Sequence, residues 1–183
     1  MNEREKLLRR VALKCTDFAR QLSYHRALRD HATDFTQNFW IYMCNNAIDL
    51  AVLDWFHLFG YHKDDLHWKR VVGNTMVFKR QLLQSLQLTE DNWKTYWASI
   101  KDYRDKDLAH VEVRPRSHVP DMTLALRAAA HYYSVVLSEL STFRNYGGWP
   151  RQIEDYYTRS LEQSRAICSV AYQASSKMED KVS

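Results

Sequence analysis

Glycine and proline are scarce: four Gly and three Pro in 183 residues. A β-sandwich or barrel spends those residues at its many tight turns, so that class is excluded, together with collagen-like and low-complexity chains. Cysteine is equally sparse. Cys15, Cys44 and Cys168 are isolated, odd in number and without C-x-x-C spacing. They exclude a zinc ribbon or a disulfide framework and read as small buried hydrophobes in a reducing compartment. Long apolar runs are missing too. The most apolar segment, 39–53, is interrupted by Asn45, Asn46 and Asp49, and is too short and polar to cross a bilayer. No apolar signal core follows Met1-Asn2-Glu3-Arg4-Glu5-Lys6, so the expectation is a cytoplasmic protein with no membrane partner. Nor does charge of one sign dominate: 26 Lys and Arg against 22 Asp and Glu give +4. That balance admits an anionic partner without requiring one.

What remains is helix. Its few breakers cluster at Gly60, Gly73, Pro115, Pro120 and the Gly147-Gly148-Trp-Pro150 run, leaving long uninterrupted stretches between. Leu7, Leu8, Val11, Cys15, Phe18, Ala19 and Leu22 recur at three- and four-residue steps and predict a first helix over 2–30. Thr33-Asp34 is a natural cap for a second, running to about Leu58 and stopped by Gly60; with apolar residues on several faces, it should be the most buried. The stretch 61–68 is polar and irregular. A shorter helix is predicted over 75–86. Thr89-Glu90-Asp91 opens a long one to about Val113, ended by Pro115. Asp121 caps a helix to about Tyr146, and Pro150 opens a last one to about Ser175. The expected architecture is all-α: an antiparallel four-helix-type bundle with accessory helices, one domain over 1–175 and a frayed tail over 176–183. Trp40, Trp55, Phe56, Trp93, Trp97, Tyr132 and Tyr133 fall at helical spacings and read as core or dimer interface rather than as a base-stacking platform.

The segment from Ile100 to His110 is where chemistry concentrates. It places Arg104, Asp105 and His110 together, late in a helix that ends before a proline-containing loop. A guanidinium fork stabilises phosphoryl oxygens, and an imidazole moves a proton near neutral pH. Cleavage of RNA by its own 2′-hydroxyl requires those two roles and no metal. The pattern is loose, however, since Arg20 to His25 and Arg26 to His31 match it as well. On a straight α-helix, Arg104 and His110 point about 120° apart and stand about 9 Å apart along the axis. They serve one site only if the Arg reaches round, the helix bends, or two chains meet.

The run Tyr-Arg-Asp-Lys-x-x-Ala-His over 103–110, followed by Arg114-Pro115 and Val119-Pro120, resembles the HEPN superfamily. The abortive-infection and toxin–antitoxin proteins of that group are the most similar. Asn45-Asn46-Ala-x-Asp49, Trp55, Leu58-Phe59-Gly60 and His67-Trp68 fit the same resemblance, which covers roughly 35–145. It implies a helical bundle that forms a homodimer, so that two Arg/His pairs line one basic cleft. It implies a metal-independent endoribonuclease without cofactor, leaving a 2′,3′-cyclic phosphate and a 5′-hydroxyl. Carried over, Arg104 stabilises the phosphorane, His110 is general base or acid, and Asp105 orients one of them. RNA is the implied substrate, and a cognate antitoxin protein an implied partner if the chain is a toxin. Some toxin members carry a Tyr two residues after the His as an adenylylation target; here Glu112 stands there, and that control is not supported.

Other readings stand beside this one. A catalytically silent helical module of the same fold would use the cleft to hold RNA or a protein. A surface Arg104 paired with Asp102 or Asp107 is ordinary helix chemistry. Asp54-x-x-His57 and Asp107-x-x-His110, with Glu139 and Glu162, echo the ligand pattern of di-metal bundles, a distant alternative. Asn45, Asn46 and Asp49, polar groups in the most apolar helix, need partners; they either orient the Arg/His helix or form a structural network.

Overall fold

In the computed structural model the chain is all-helical, as its composition requires. The structure describes residues 1–32, 35, 37–109, 119–143 and 147–178, with backbone alone over 107–109. Among the described residues seven α-helices follow one another: α1 (Glu3–Arg29), α2 (Asn38–Phe59), α3 (Trp68–Val71), α4 (Thr75–Leu86), α5 (Glu90–Tyr103), α6 (Thr123–Leu140) and α7 (Ile153–Ser175). Between α5 and the undescribed stretch 110–118, Arg104–Ala109 winds as a π-helix.

Helix α1 is the axis of the bundle and packs on α2, α6 and α7. Its long-range bonds give the directions. Lys14 pairs with Asp54 and His25 bonds the Cys44 carbonyl, so α1 and α2 run antiparallel. Arg4 forks onto Glu139 while Arg26 reaches Thr123, so α1 and α6 are antiparallel too. Arg20 to Tyr156, Ser23 to Ser160 and Arg165 to Asp30 rise together, so α1 and α7 run parallel. The bundle is therefore not antiparallel in every pair, because the α3–α5 insertion lets α6 return alongside α1 in the direction of α2. One core of Leu8, Cys15, Phe18, Leu22, Ile48, Trp55, Leu58, Tyr132, Tyr133, Ile153 and Tyr157 joins these helices.

Caps explain most boundaries. Asn2, Asn74 and Thr89 each accept a backbone N–H from three residues on, opening α1, α4 and α5. Three expectations need correction. The Thr33-Asp34 cap lies outside the described residues, and α2 begins at Asn38 after Gln37, whose amide instead bonds the Ser175 and Met178 carbonyls at the end of α7. Asp121 does accept from Thr123, but α6 stops at Leu140 rather than near Tyr146. The stretch 61–68 holds a cap for α3. There His67 Nδ1 accepts the Lys69 N–H at 3.1 Å.

Helix α2 departs furthest from expectation. One face, with Ala47, Ile48, Ala51, Val52 and Trp55, is buried; Phe39, Tyr42, Met43, Leu50 and Leu53 are exposed. The helices among the described residues cover one of its two apolar faces. No helix among the described residues is long and apolar enough to cross a membrane.

The His67 cap ties stability to pH. Its ring is buried, and burial together with the nearby Lys69 charge depresses its pKa from the ordinary 6.5 to about 4. Above pH 6.5 both folded and unfolded chains hold a neutral ring. As pH falls from 6.5 toward 4, the unfolded chain takes up a proton that the folded cap refuses, and stability drops by up to about 3 kcal/mol. The expected result is a steep fall in urea midpoint across that window. It is flattened in His67→Asn, which keeps an acceptor at the cap without the titration. An unchanged slope in that variant would remove His67 from the pH response.

Candidate functional site

The residues around Arg104 come from three parts of the chain. Helix α5 carries Trp97, Lys101 and Tyr103 and hands over to the π-helix at Arg104. Helix α2 contributes Asp49 and Phe56, and Tyr61 follows directly after the Gly60 break. The Arg104 guanidinium carbon lies 4.7 Å from the centre of the Phe56 ring and 5.0 Å from that of Tyr61. Two aromatic faces therefore hold the cation, a favourable arrangement for a planar charge. Its Nη2 donates to the Tyr61 hydroxyl at 3.1 Å and pairs with the Asp105 carboxylate. Among the described residues its Nε–H is enclosed without an acceptor. Trp97 supports the cradle from beneath, 5.9 Å from Phe56 and 6.3 Å from Tyr61, with its indole N–H fixed on the Phe59 carbonyl.

Asp105 stands between two cations. Burial pushes its carboxyl up, but the Lys101 hydrogen bond at 2.5 Å and the Arg104 and Lys101 charges outweigh that and hold it below the usual carboxylate range. It is ionised at neutral pH and fixes the Arg104 fork from one side. Asp49 enters from α2. It accepts from the hydroxyl of the fully buried Tyr103 at 2.8 Å, pinning the residue that precedes Arg104. Of the other two polar residues on that helix, Asn45 is half-buried, whereas Asn46 is exposed, beside Met43 and Leu50.

His110 lies outside the described residues, as do Glu112, Arg114-Pro115 and the side chain of Asp107. The helix leading to His110 is not the uninterrupted α-helix to Val113 that the spacing predicts. A π-helix closes i→i+5 bonds, widens each turn, and is rare, found mostly as single turns within α-helices and frequently at functional sites. The separation of about 120° belongs to a straight α-helix and does not hold through Arg104–Ala109.

The competing patterns are otherwise occupied. Arg20 bonds Tyr156 and Arg26 bonds Tyr157, both tying α1 to α7. His25 is buried, its Nδ1–H donating to the Cys44 carbonyl, and His31 stacks on Tyr172. The di-metal alternative needs residues that are committed elsewhere: Asp54 to Lys14, His57 to Asp64, Glu139 to Arg4. Among the described residues no three or more His, Cys, Asp or Glu side chains come together as a ligand set.

Sequence reasoning missed the aromatic cradle. It placed Phe56 in a core or interface and read the stretch from Tyr61 as irregular. The available signal was the pair of rings flanking Gly60. A Cβ on Gly60 would overlap the Phe56 ring and stand 2.5 Å from the Phe56 carbonyl oxygen, so only glycine lets the chain turn there. Gly60→Ala is expected to cost about 1–3 kcal/mol in urea unfolding. It should also loosen the Phe56 ring beneath Arg104. A variant as stable as the parent would show that Phe56 has room to move.

No protein-family model matches this sequence, and searches of curated proteins and of solved structures find no match.

Proposed function

We propose that the chain is a HEPN-type, metal-independent endoribonuclease of a toxin or anti-phage defence system, working as a homodimer. The observation that carries the reading is the clamped guanidinium: Arg104, held between two rings with a carboxylate at its side, at the start of the π-helical turn that leads to His110. The rings and the carboxylate hold the fork in one orientation, which is what a donor to phosphoryl oxygens requires. In the proposed step the RNA 2′-oxygen attacks phosphorus, giving its proton to a general base. The O2′–P bond forms, the P–O5′ bond breaks, and the 5′-oxygen is protonated as it leaves. Arg104 stabilises the extra negative charge of the phosphorane, and His110 supplies one of the proton transfers. Asp105 and Tyr61 keep the fork in one plane, and Asp49 positions the helix through Tyr103.

A second reading has an observation of its own. Asp105 and Tyr61 already take up part of the Arg104 fork, which suits a site that holds RNA without cutting it. One experiment separates the two: total or transfer RNA incubated with the protein in EDTA, beside His110→Ala. Cleavage by the parent and none by the variant supports the ribonuclease, and a 2′,3′-cyclic phosphate end identifies the chemistry. Binding without cleavage by either supports the silent module. Equal cleavage by both would remove His110 from the mechanism.

A further inference from the structure

Trp97, which supports the Arg104 cradle, also borders a second cleft, of about 530 Å³, between α3, α4, α5 and the end of α2. Glu90, Trp93, Lys94 and Trp97 line it at steps of three, one and three, which is one face of α5. Spacing alone reads the two tryptophans as core or interface. The structure leaves both half-buried at the cleft, whereas Phe59 and Trp68 beside them are buried. The Trp93 ring centre lies 6.0 Å from that of Phe59 and 6.0 Å from that of Trp55, so the core fixes its position from behind.

The charge comes from three helices: Lys69 on α3, Lys79 on α4 and Lys94 on α5. Lys79 and Lys94 converge. Their ammonium groups stand 2.6 Å and 3.7 Å from one oxygen of Glu90, and Lys94 also reaches Asp91 at 3.3 Å. The Lys69 ammonium lies over the Trp68 ring, 5.6 Å from its centre. Glu90 is the one carboxylate among the described lining residues, so the cleft is net positive. Exposed ion pairs of this kind are weak, and a doubly charged anion displaces the carboxylate.

The chemistry of the cleft selects its ligand. Indole faces take a flat π-system, and ammonium point charges take phosphate. No Ser, Thr, Asn or Gln side chain lines the cleft among the described residues, which leaves stacking and charge rather than readout of a base edge. A nucleotide carries a flat ring and a phosphate a sugar's length apart.

We propose that this cleft binds a nucleotide, its base stacked on Trp93 and Trp97 and its phosphate held by Lys79 and Lys94. The nucleotide is either free or one unit of an RNA strand. Trp97 touches both rings of the Arg104 cradle, so a strand seated in the cleft lies next to that guanidinium. Only this second source rests on the proposed ribonuclease.

The test titrates the protein in EDTA with adenosine 5′-monophosphate, whose purine offers a large stacking face, while tryptophan fluorescence is read. Quenching with a dissociation constant of about 1 mM or below is expected. Lys79→Ala and Lys94→Ala should each weaken binding about 5- to 10-fold. Trp93→Leu, which keeps an apolar side chain against Phe59, should weaken it about 10-fold or more. Glu90→Gln frees both lysines and should tighten it. Circular dichroism checks the fold of each variant. A 2′-O-methyl adenylate hexamer, which has no 2′-hydroxyl to attack, separates the two sources. Binding at least about 10-fold tighter than the monophosphate, and equally dependent on Lys79 and Lys94, assigns the cleft to an RNA strand; weaker binding than that assigns it to the free nucleotide. The proposal is overturned if neither probe quenches, if ribose 5-phosphate binds as tightly as the monophosphate, or if the lysine variants bind like the parent. A chain that binds nucleotide here but cuts no RNA keeps the cleft and loses the ribonuclease; one that cuts RNA with no nucleotide in the cleft does the reverse.

Discussion

Replacing Arg104 with alanine is expected to lower RNA cleavage by about 100- to 1,000-fold, the loss typical when one preorganised donor to a developing oxyanion is removed. The fold should survive, because the side chain sits at the surface end of its cradle and Asp105 keeps Lys101 as a partner. Arg104→Lys should fail nearly as badly. An ammonium matches the charge, but it neither lies flat between the Phe56 and Tyr61 rings nor presents a fork to two phosphoryl oxygens. Tyr61→Phe keeps the ring and removes the hydroxyl that fixes Nη2, so it should fall between the parent and Arg104→Ala. Single-turnover cleavage, read beside urea unfolding of each variant, checks the series. A lysine variant with parental activity would reduce Arg104 to a point charge, and an active alanine variant would take it out of the site.

The largest effect on stability is expected at Trp55. It is fully buried, and its ring centroid lies 5.2 Å from that of Phe59, 5.9 Å from Phe56 and 6.0 Å from Trp93. Trp55→Ala opens a cavity where α2 meets α5 and should cost about 3–5 kcal/mol, a large share of the stability of a domain this size. Trp55→Phe should cost far less. The indole N–H has no acceptor among the described residues, so removing it gives up volume but also relieves a desolvated donor. Equilibrium urea unfolding with a common slope decides between them. Equal losses in the two variants would mean that the N–H is satisfied and that its bond, not the ring, matters. Because Phe56 packs on Trp55 and beneath Arg104, the alanine variant should also lose cleavage beyond what its folded fraction explains.

Chain-local chemistry made much of the fold legible. Thr89 announced the start of α5, the Phe78, Leu82 and Leu86 spacing gave α4 its extent, and the shortage of glycine and proline excluded sheet architectures. Asp49 illustrates the next level. A carboxylate in an apolar helix had to find a partner, which the sequence alone declared, but only the packing of α5 against α2 made that partner Tyr103. The cradle of Arg104 was beyond reach. Phe56 and Tyr61 lie more than forty residues earlier, and nothing local to either segment says that they meet a guanidinium. The π-helical turn was equally invisible, since the residues of Arg104–Ala109 are ordinary in a helix and carry no local signal for i→i+5 bonding.

By itself, then, the sequence determined that this protein is helical, where most of its helices begin, and that Arg104, Asp105 and His110 share one segment. Periodicity, caps and breakers act over a few residues and are written in order along the chain. Tertiary structure decided which way α7 runs against α1, which rings receive Arg104, and which apolar face of α2 the bundle covers. Those outcomes depend on how much surface the other helices bring to the core. The second face of α2 stays exposed because no helix among the described residues lies against it.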